Sequence, residues 1–156
     1  MIATIQKENG TLFARYERQF QHSMEAVWAM LTENEKLKQW FGELEIVDLR
    51  KDGFIQFDMQ DGTFEDMKIL DFEPFQTLAF EWGEDIAKFE LSSLPTGCEL
   101  VFSETISSIT EQTAKDLAVW HVCLDVIQAL LDVNTIKRED EWKFWFEKYK
   151  VLLNNL

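Results

Sequence analysis

Cysteine, proline, glycine and positive charge are all scarce in this chain, and each scarcity excludes something. Two Cys among 156 residues cannot make a disulfide framework. Cys98 and Cys123 each sit in an apolar run, where a free thiol behaves as a small hydrophobe, so reduced thiols and a cytoplasmic setting are expected. Two Pro and six Gly, with no low-complexity run, argue against a linker-rich or disordered chain. Met1 to Gly10 carries charges and no apolar stretch, so a secretory signal is not expected. No run approaches the ~20 apolar residues of a membrane span. There is no G-x-S-x-G elbow, no G-x-G-x-x-G and no Walker loop, which leaves nucleophilic catalysis and nucleotide binding without support. With 15 Lys and Arg against 29 Asp and Glu, the formal net charge is −14. Such a surface repels nucleic acid and anionic membranes. It favours solubility and, as a macromolecular partner, a protein with a basic patch.

Aromatic residues are what the chain has in excess: thirteen Phe, six Trp and two Tyr. The length fits a single domain over residues 1–156, large enough to bury about two-thirds of its unfolded surface. The strongest periodic signal runs from Thr113 to Val133. Ala114, Leu117, Trp120, Leu124, Ile127 and Leu131 recur there at steps of three and four. Val119, Val122, Val126, Leu130 and Val133 fill the neighbouring angles, so the apolar arc covers roughly 220° of the circumference. His121, Asp125, Gln128 and Asp132 form the remaining polar strip. The pattern predicts a long helix covered by a sheet on one side and by other segments on a second.

Shorter signals order the rest. Asn9-Gly10 is a hairpin signal between two β-prone runs. In the second, Leu12, Ala14, Tyr16 and Phe20 alternate with Arg15, Glu17 and Gln19. Ser23 is placed to cap a short helix carrying Val27, Trp28 and Leu31. Thr32 with Glu35 reads as a capping box for a second, ending near Phe41. Strands follow over Leu44–Arg50, Phe54–Met59 and Phe64–Phe72, with Asp52-Gly53 and Asp61-Gly62 at the turns. Alternation then marks Leu78, Phe80 and Trp82, then Ala87, Phe89 and Leu91, then Cys98, Leu100 and Phe102. Connections this short make the pairs antiparallel. Ser108 with Glu111 reads as the capping box of the long helix. Trp142, Trp145, Phe146, Tyr149 and Leu152 give a final helix an aromatic stripe too large to leave in water.

The layout is α+β: two short helices after the first strand, then a curved antiparallel sheet of six to seven strands wrapped around a long C-terminal helix. Twist curls such a sheet. A curled sheet and a straight helix match poorly in shape, so large side chains or a cavity must fill the gap.

Several of these residues together resemble a known family. Arg18-Gln19-Phe20, Val27-Trp28, Leu31-Thr32 and Trp40-Phe41 are similar to the opening of homologues of the activator of the heat-shock-protein-ninety ATPase, within the START-like (SRPBCC) superfamily. Ile69 to Pro74, Leu78 to Gly83 and Gly97 to Phe102 resemble its middle strands. Trp120 to Asp125, then Trp142 with Tyr149, resemble the start and end of its C-terminal helical part. Val119 departs from the pattern, since many relatives have Gly before the Trp. The resemblance spans roughly Phe13 to Leu152. It implies the helix-grip fold, with a hydrophobic cavity between sheet and long helix that takes lipid- or polyketide-like molecules. It also implies, as an alternative, a protein-interaction role of the chaperone-ATPase-activator kind. Some distant relatives are cyclases or hydrolases.

An apolar small molecule is therefore the expected ligand. Phe57, Phe80, Trp82, Phe89, Phe102, Trp120 and Leu124 are the candidate cavity lining, and Trp28, Trp40 and Phe41 could close one end. Each of these could equally be plain core. No cofactor is expected. His121 and Asp125 stand four apart on the polar strip, but the only other histidine is His22. With no third and fourth ligand a metal is not proposed, and a surface or structural hydrogen-bonded pair is the expectation. Glu65, Asp66, Asp71, Glu81, Glu84, Asp85 and Glu90 are expected in water. No catalytic residue is assigned, but an enzyme of the cyclase or hydrolase type would need polar groups inside, with Tyr16, Arg18 and His121 the candidates.

Overall fold

The computed structural model describes residues 1–156. The Asn9-Gly10 turn, with both residues at positive φ (52° and 83°), joins β1 (Thr4–Glu8) to β2 (Thr11–Phe20). Two short helices follow, α1 (Met24–Thr32) and α2 (Asn34–Trp40). Then come β3 (Leu44–Asp48), β4 (Phe54–Asp58), β5 (Phe64–Glu73), β6 (Thr77–Trp82), β7 (Asp85–Leu94) and β8 (Gly97–Ile106). The long helix α3 (Glu111–Leu131) and the last helix α4 (Arg138–Asn154) complete the chain. The strands form one antiparallel sheet in the order β1-β2-β8-β7-β6-β5-β4-β3. It has eight strands rather than six or seven, because β1 is a separate edge strand folded back on β2. Register shifts between Ile46 and Asp48 and between Ile69 and Asp71 interrupt the ladders, as bulges do where a sheet bends.

The sheet's inner face is legible from its alternation. Ala14, Tyr16, Arg18 and Phe20 of β2 are buried, as are Cys98, Leu100, Phe102, Glu104 and Ile106 of β8. This face covers α3, whose Leu117, Trp120, Leu124 and Ile127 are fully buried. The Tyr16 hydroxyl donates to the Leu117 carbonyl at 2.8 Å and ties the sheet to the helix. Two caps differ from expectation. The α3 cap is Thr110, not Ser108, in a reciprocal box with Thr113. Thr32 does not open α2; its hydroxyl bonds back to the Trp28 carbonyl inside α1. Ser23 caps α1 as its position suggested.

The polar strip of α3 is partly covered. His121 is fully buried, because α4 lies along this side of α3 and stacks Trp145 on the imidazole at 3.7 Å between ring centroids. Of the two readings of the His121/Asp125 pair, surface or structural, the structural one holds for His121, which lies in the seam between two helices. No helix is long and apolar enough to cross a membrane. Trp120 is the largest side chain joining α3 to the sheet, so Trp120→Ala is expected to cost about 3–5 kcal/mol, read as a lowered urea midpoint at unchanged slope.

Candidate functional site

Eight of the ten expected lining residues come together in one aromatic cluster. The Trp120 ring lies 4.3 Å from Phe102, 5.0 Å from Trp82, 5.3 Å from Phe41 and 6.0 Å from Phe89, centroid to centroid. Phe57 packs on Phe41 and Trp82, Phe80 on Trp82 and Phe89, and Trp40 on Phe41 and Phe89. Leu124 is buried one turn along α3 from Trp120. Trp28 stands apart, against Phe72 and Phe75. These rings occupy the middle of the space between sheet and helix. Among the principal recesses, only Trp82 of the ten borders one.

That recess, of about 300 Å³, opens between the end of the sheet and the first turns of α3. Trp82 and the Gly83-Glu84 turn form one wall, the end of β8 another, and Gln112, Thr113 and Asp116 the helix side. Gly83, at φ 61°, has the positive φ that a type II′ hairpin asks of its first central residue. The rim is held by Asp85, whose carboxylate accepts from the Thr105 hydroxyl at 3.0 Å and the Ser107 N–H at 2.8 Å.

Glu104 is the unusual group here. It continues the inward row Cys98, Leu100, Phe102 and is only 6% exposed. Its cross-strand neighbours on both sides are alanines, Ala14 and Ala87, so small side chains flank the carboxyl across the sheet. Its Oε2 is buried with no hydrogen-bond partner. Burial, and then the charges of Asp116 and Asp85, push its pKa up to about 8. Burial raises Asp116 as well, although Gln112 donates to it. Glu104 is absent from the acidic residues that the sequence brought forward. The signal was available: the alternation that places Phe102 inward places residue 104 inward too.

Tyr16, Arg18 and His121 also converge, in a second place. The Ala3 N–H donates to the Tyr149 hydroxyl at 3.0 Å, and that hydroxyl lies 2.7 Å from His121 Nδ1. With Tyr149 donating to Nδ1, the imidazole carries its proton on Nε2, which lies 3.3 Å from Asp125 Oδ2 but off-line for a hydrogen bond. Arg18 Nε stands 3.5 Å from Asp125 Oδ1. Burial pushes the His121 pKa down against the opposing pull of Asp125, so the ring is neutral. None of these side chains borders a principal recess. The network fastens β2, α3, α4 and the N-terminal segment together. Cys123, another buried nucleophile, is held protonated by burial, with its pKa up to about 12, and donates to the Trp40 carbonyl.

A curved antiparallel sheet closed over a long helix, with an opening at the helix's N-terminal end, defines a helix-grip domain of the START-like class. Residues 21–132 match the family described as Activator of Hsp90 ATPase homolog 1-like protein. Among solved structures, a conserved protein of unknown function from Enterococcus faecalis is 33% identical, with 96% of this chain and 91% of that chain covered and a TM-score of 0.79. CalU16 from Micromonospora echinospora is 18% identical over 96% of this chain and 94% of its own, with a TM-score of 0.74. The Aha1 dimer from Colwellia psychrerythraea is 18% identical over 80% of this chain and 98% of its own, with a TM-score of 0.68. The latter two show the shared fold alone. No curated protein matches the chain. The chain belongs to the Activator of Hsp90 ATPase homolog 1-like family.

Two measurements check these assignments. A carboxyl with a folded pKa near 8 keeps its proton after the unfolded chain has lost it. Stability therefore falls as pH rises from the ordinary Glu range and levels off above the folded pKa. In paired urea titrations at acid and mildly alkaline pH, Glu104→Gln is expected to lose this slope. It should gain on the parent by on the order of 5 kcal/mol across the range. Tyr149→Phe removes both the acceptor for Ala3 and the donor to His121, and is expected to cost about 1–3 kcal/mol, with faster amide exchange in α4.

Proposed function

We propose that this chain is a small-molecule-binding domain whose ligand lodges between the sheet and the long helix, entering through the recess beside Trp82. The observation that carries this reading is Glu104. A carboxyl that is buried, lacks a partner for Oε2 and sits next to an opening costs stability where an apolar residue would not. Such costs concentrate at binding and catalytic sites. A recess of about 300 Å³ lies at the lower end of the range for small-ligand sites. The ligand's apolar body would rest on Trp82, with Phe57, Phe41 and Trp120 directly behind it. Phe80, Phe89, Phe102, Leu124 and Trp40 form the deeper wall, and Trp28 lies beyond it. The family's fold supports ligand binding in general terms, and no cofactor is invoked.

A second reading, an interaction module, is favoured by one observation. Phe144 and Val151, two turns apart on the outer face of α4, are more than half exposed. It ranks below the first because no groove on that face holds a buried polar group without a partner.

The test is native mass spectrometry of freshly purified protein beside Ser108→Trp, which plugs the recess from its exposed rim. The parent is expected to carry a small organic adduct that the variant lacks. Bare spectra for both, with no rise in melting temperature when apolar alcohols are added at saturation, would sink the reading.

A further inference from the structure

The recess has a one-sided charge. Four carboxylates, Glu84, Asp85, Glu104 and Asp116, are among its thirteen lining residues, and no Lys, Arg or His is. The whole chain carries −14, so nothing at longer range reverses that sign. One wall is an indole, the surface on which an organic cation is best held. The N-terminal end of α3 works in the opposite direction, since a helix start favours anions. Here, however, the Thr110 hydroxyl accepts the Gln112 N–H and the Thr113 hydroxyl accepts the Thr110 N–H. Glu111 adds a negative charge in the first turn.

The carboxylates are also spread apart. No three His, Cys, Asp or Glu side chains converge as metal ligands do, so a bare divalent ion is a poor fit. An anionic ligand, such as a fatty acid, would meet the carboxylates of Glu84, Asp85 and Asp116 beside the Glu104 carboxyl, and no cation.

From these observations we infer that the ligand is an organic monocation, an amine on a compact apolar body, with its ammonium group paired to Glu104 and its apolar part against Trp82. The inference rests on the recess being the binding site. Glu104 is then the specificity-determining residue, and its unpartnered Oε2 is the acceptor that the ammonium N–H satisfies. Asp116 and Asp85 face Glu104 from α3 and the start of β7, and the Tyr16 hydroxyl is near it on β2. Without ligand, these neighbours and burial keep the carboxyl protonated at neutral pH. An ammonium ion arriving beside it restores the carboxylate, and the displaced proton goes to solvent. Binding is thus exchange of one positive charge for another inside a buried site. It is favoured as pH rises, until Glu104 is already ionised.

Three probes of one shape separate this inference from the reading it rests on: phenylpropylamine, phenylpropanol and phenylpropanoate, titrated by calorimetry in two buffers of different ionisation enthalpy. The amine is expected to bind at least about tenfold more tightly than the alcohol, with the acid weakest. A carboxyl with its pKa near 8 should release about 0.9 proton per amine bound at pH 7. Glu104→Gln should abolish both the proton release and the preference for amine, while the alcohol still binds. Asp116→Asn should weaken the amine several-fold and leave proton release in place. If alcohol or acid binds as tightly as the amine, or if amine binding releases no proton, the cation assignment is overturned and the recess reading stands. If none of the three binds, both fall.

Discussion

Everything in this molecule depends on how a bent sheet closes over a straight helix. Trp120 makes that closure possible. Its ring occupies the widest part of the gap and touches rings from three strands and from the end of α2. Close packing there follows from the density that interiors require. The filling is not uniform along the helix, because the sheet opposite the first turns of α3 carries two alanines where it could carry rings. The opening is thus a matter of side-chain size at a few positions on an otherwise common frame. Fold membership does not depend on the residues at those positions.

Two buried polar systems divide the interior. The one around His121 is tied together by its hydroxyls, with a neutral imidazole and an ion pair at the edge, although Arg18 Nη2, His121 Nε2 and Trp145 Nε1 have no hydrogen-bond partner. It behaves as structural polar networks do, specifying one arrangement of helices. Glu104 has an unpartnered oxygen too, but it borders a recess and the His121 group does not, and that contrast separates a fastening from a candidate site. Burial alone would not have done so, since both are buried.

Much of the fold was legible because its signals are local. Hairpin turns, alternation along β6 to β8 and the helical steps of α3 are each written within a short window. What was not legible was what depends on a distant segment. His121 and Asp125 read as a pair that is either surface or structural, and nothing near residue 121 announces that α4 covers it. The α3 cap was misplaced by two residues because both Ser108 and Thr110 suit the position chemically. Eight of the ten aromatic and apolar residues singled out do pack into one cluster, but their ring-by-ring arrangement depends on tertiary distances. Glu104 was legible from the alternation of β8, since the register that turns Phe102 inward turns residue 104 inward as well.

The pairing of β2 with β8 has a consequence for how the chain assembles. These partners lie roughly eighty to ninety residues apart in sequence, so β2 stays without its inner neighbour while the meander from β3 to β7 is made. Closing so long a loop is slow compared with forming hairpins. The meander can form early, strand on strand, and the β1–β2 hairpin can wait as an independent piece. Joining the two completes the concave face and adds the Tyr16 hydroxyl bond to the Leu117 carbonyl of α3. During synthesis the grip is therefore completed last, from opposite ends of the chain inward.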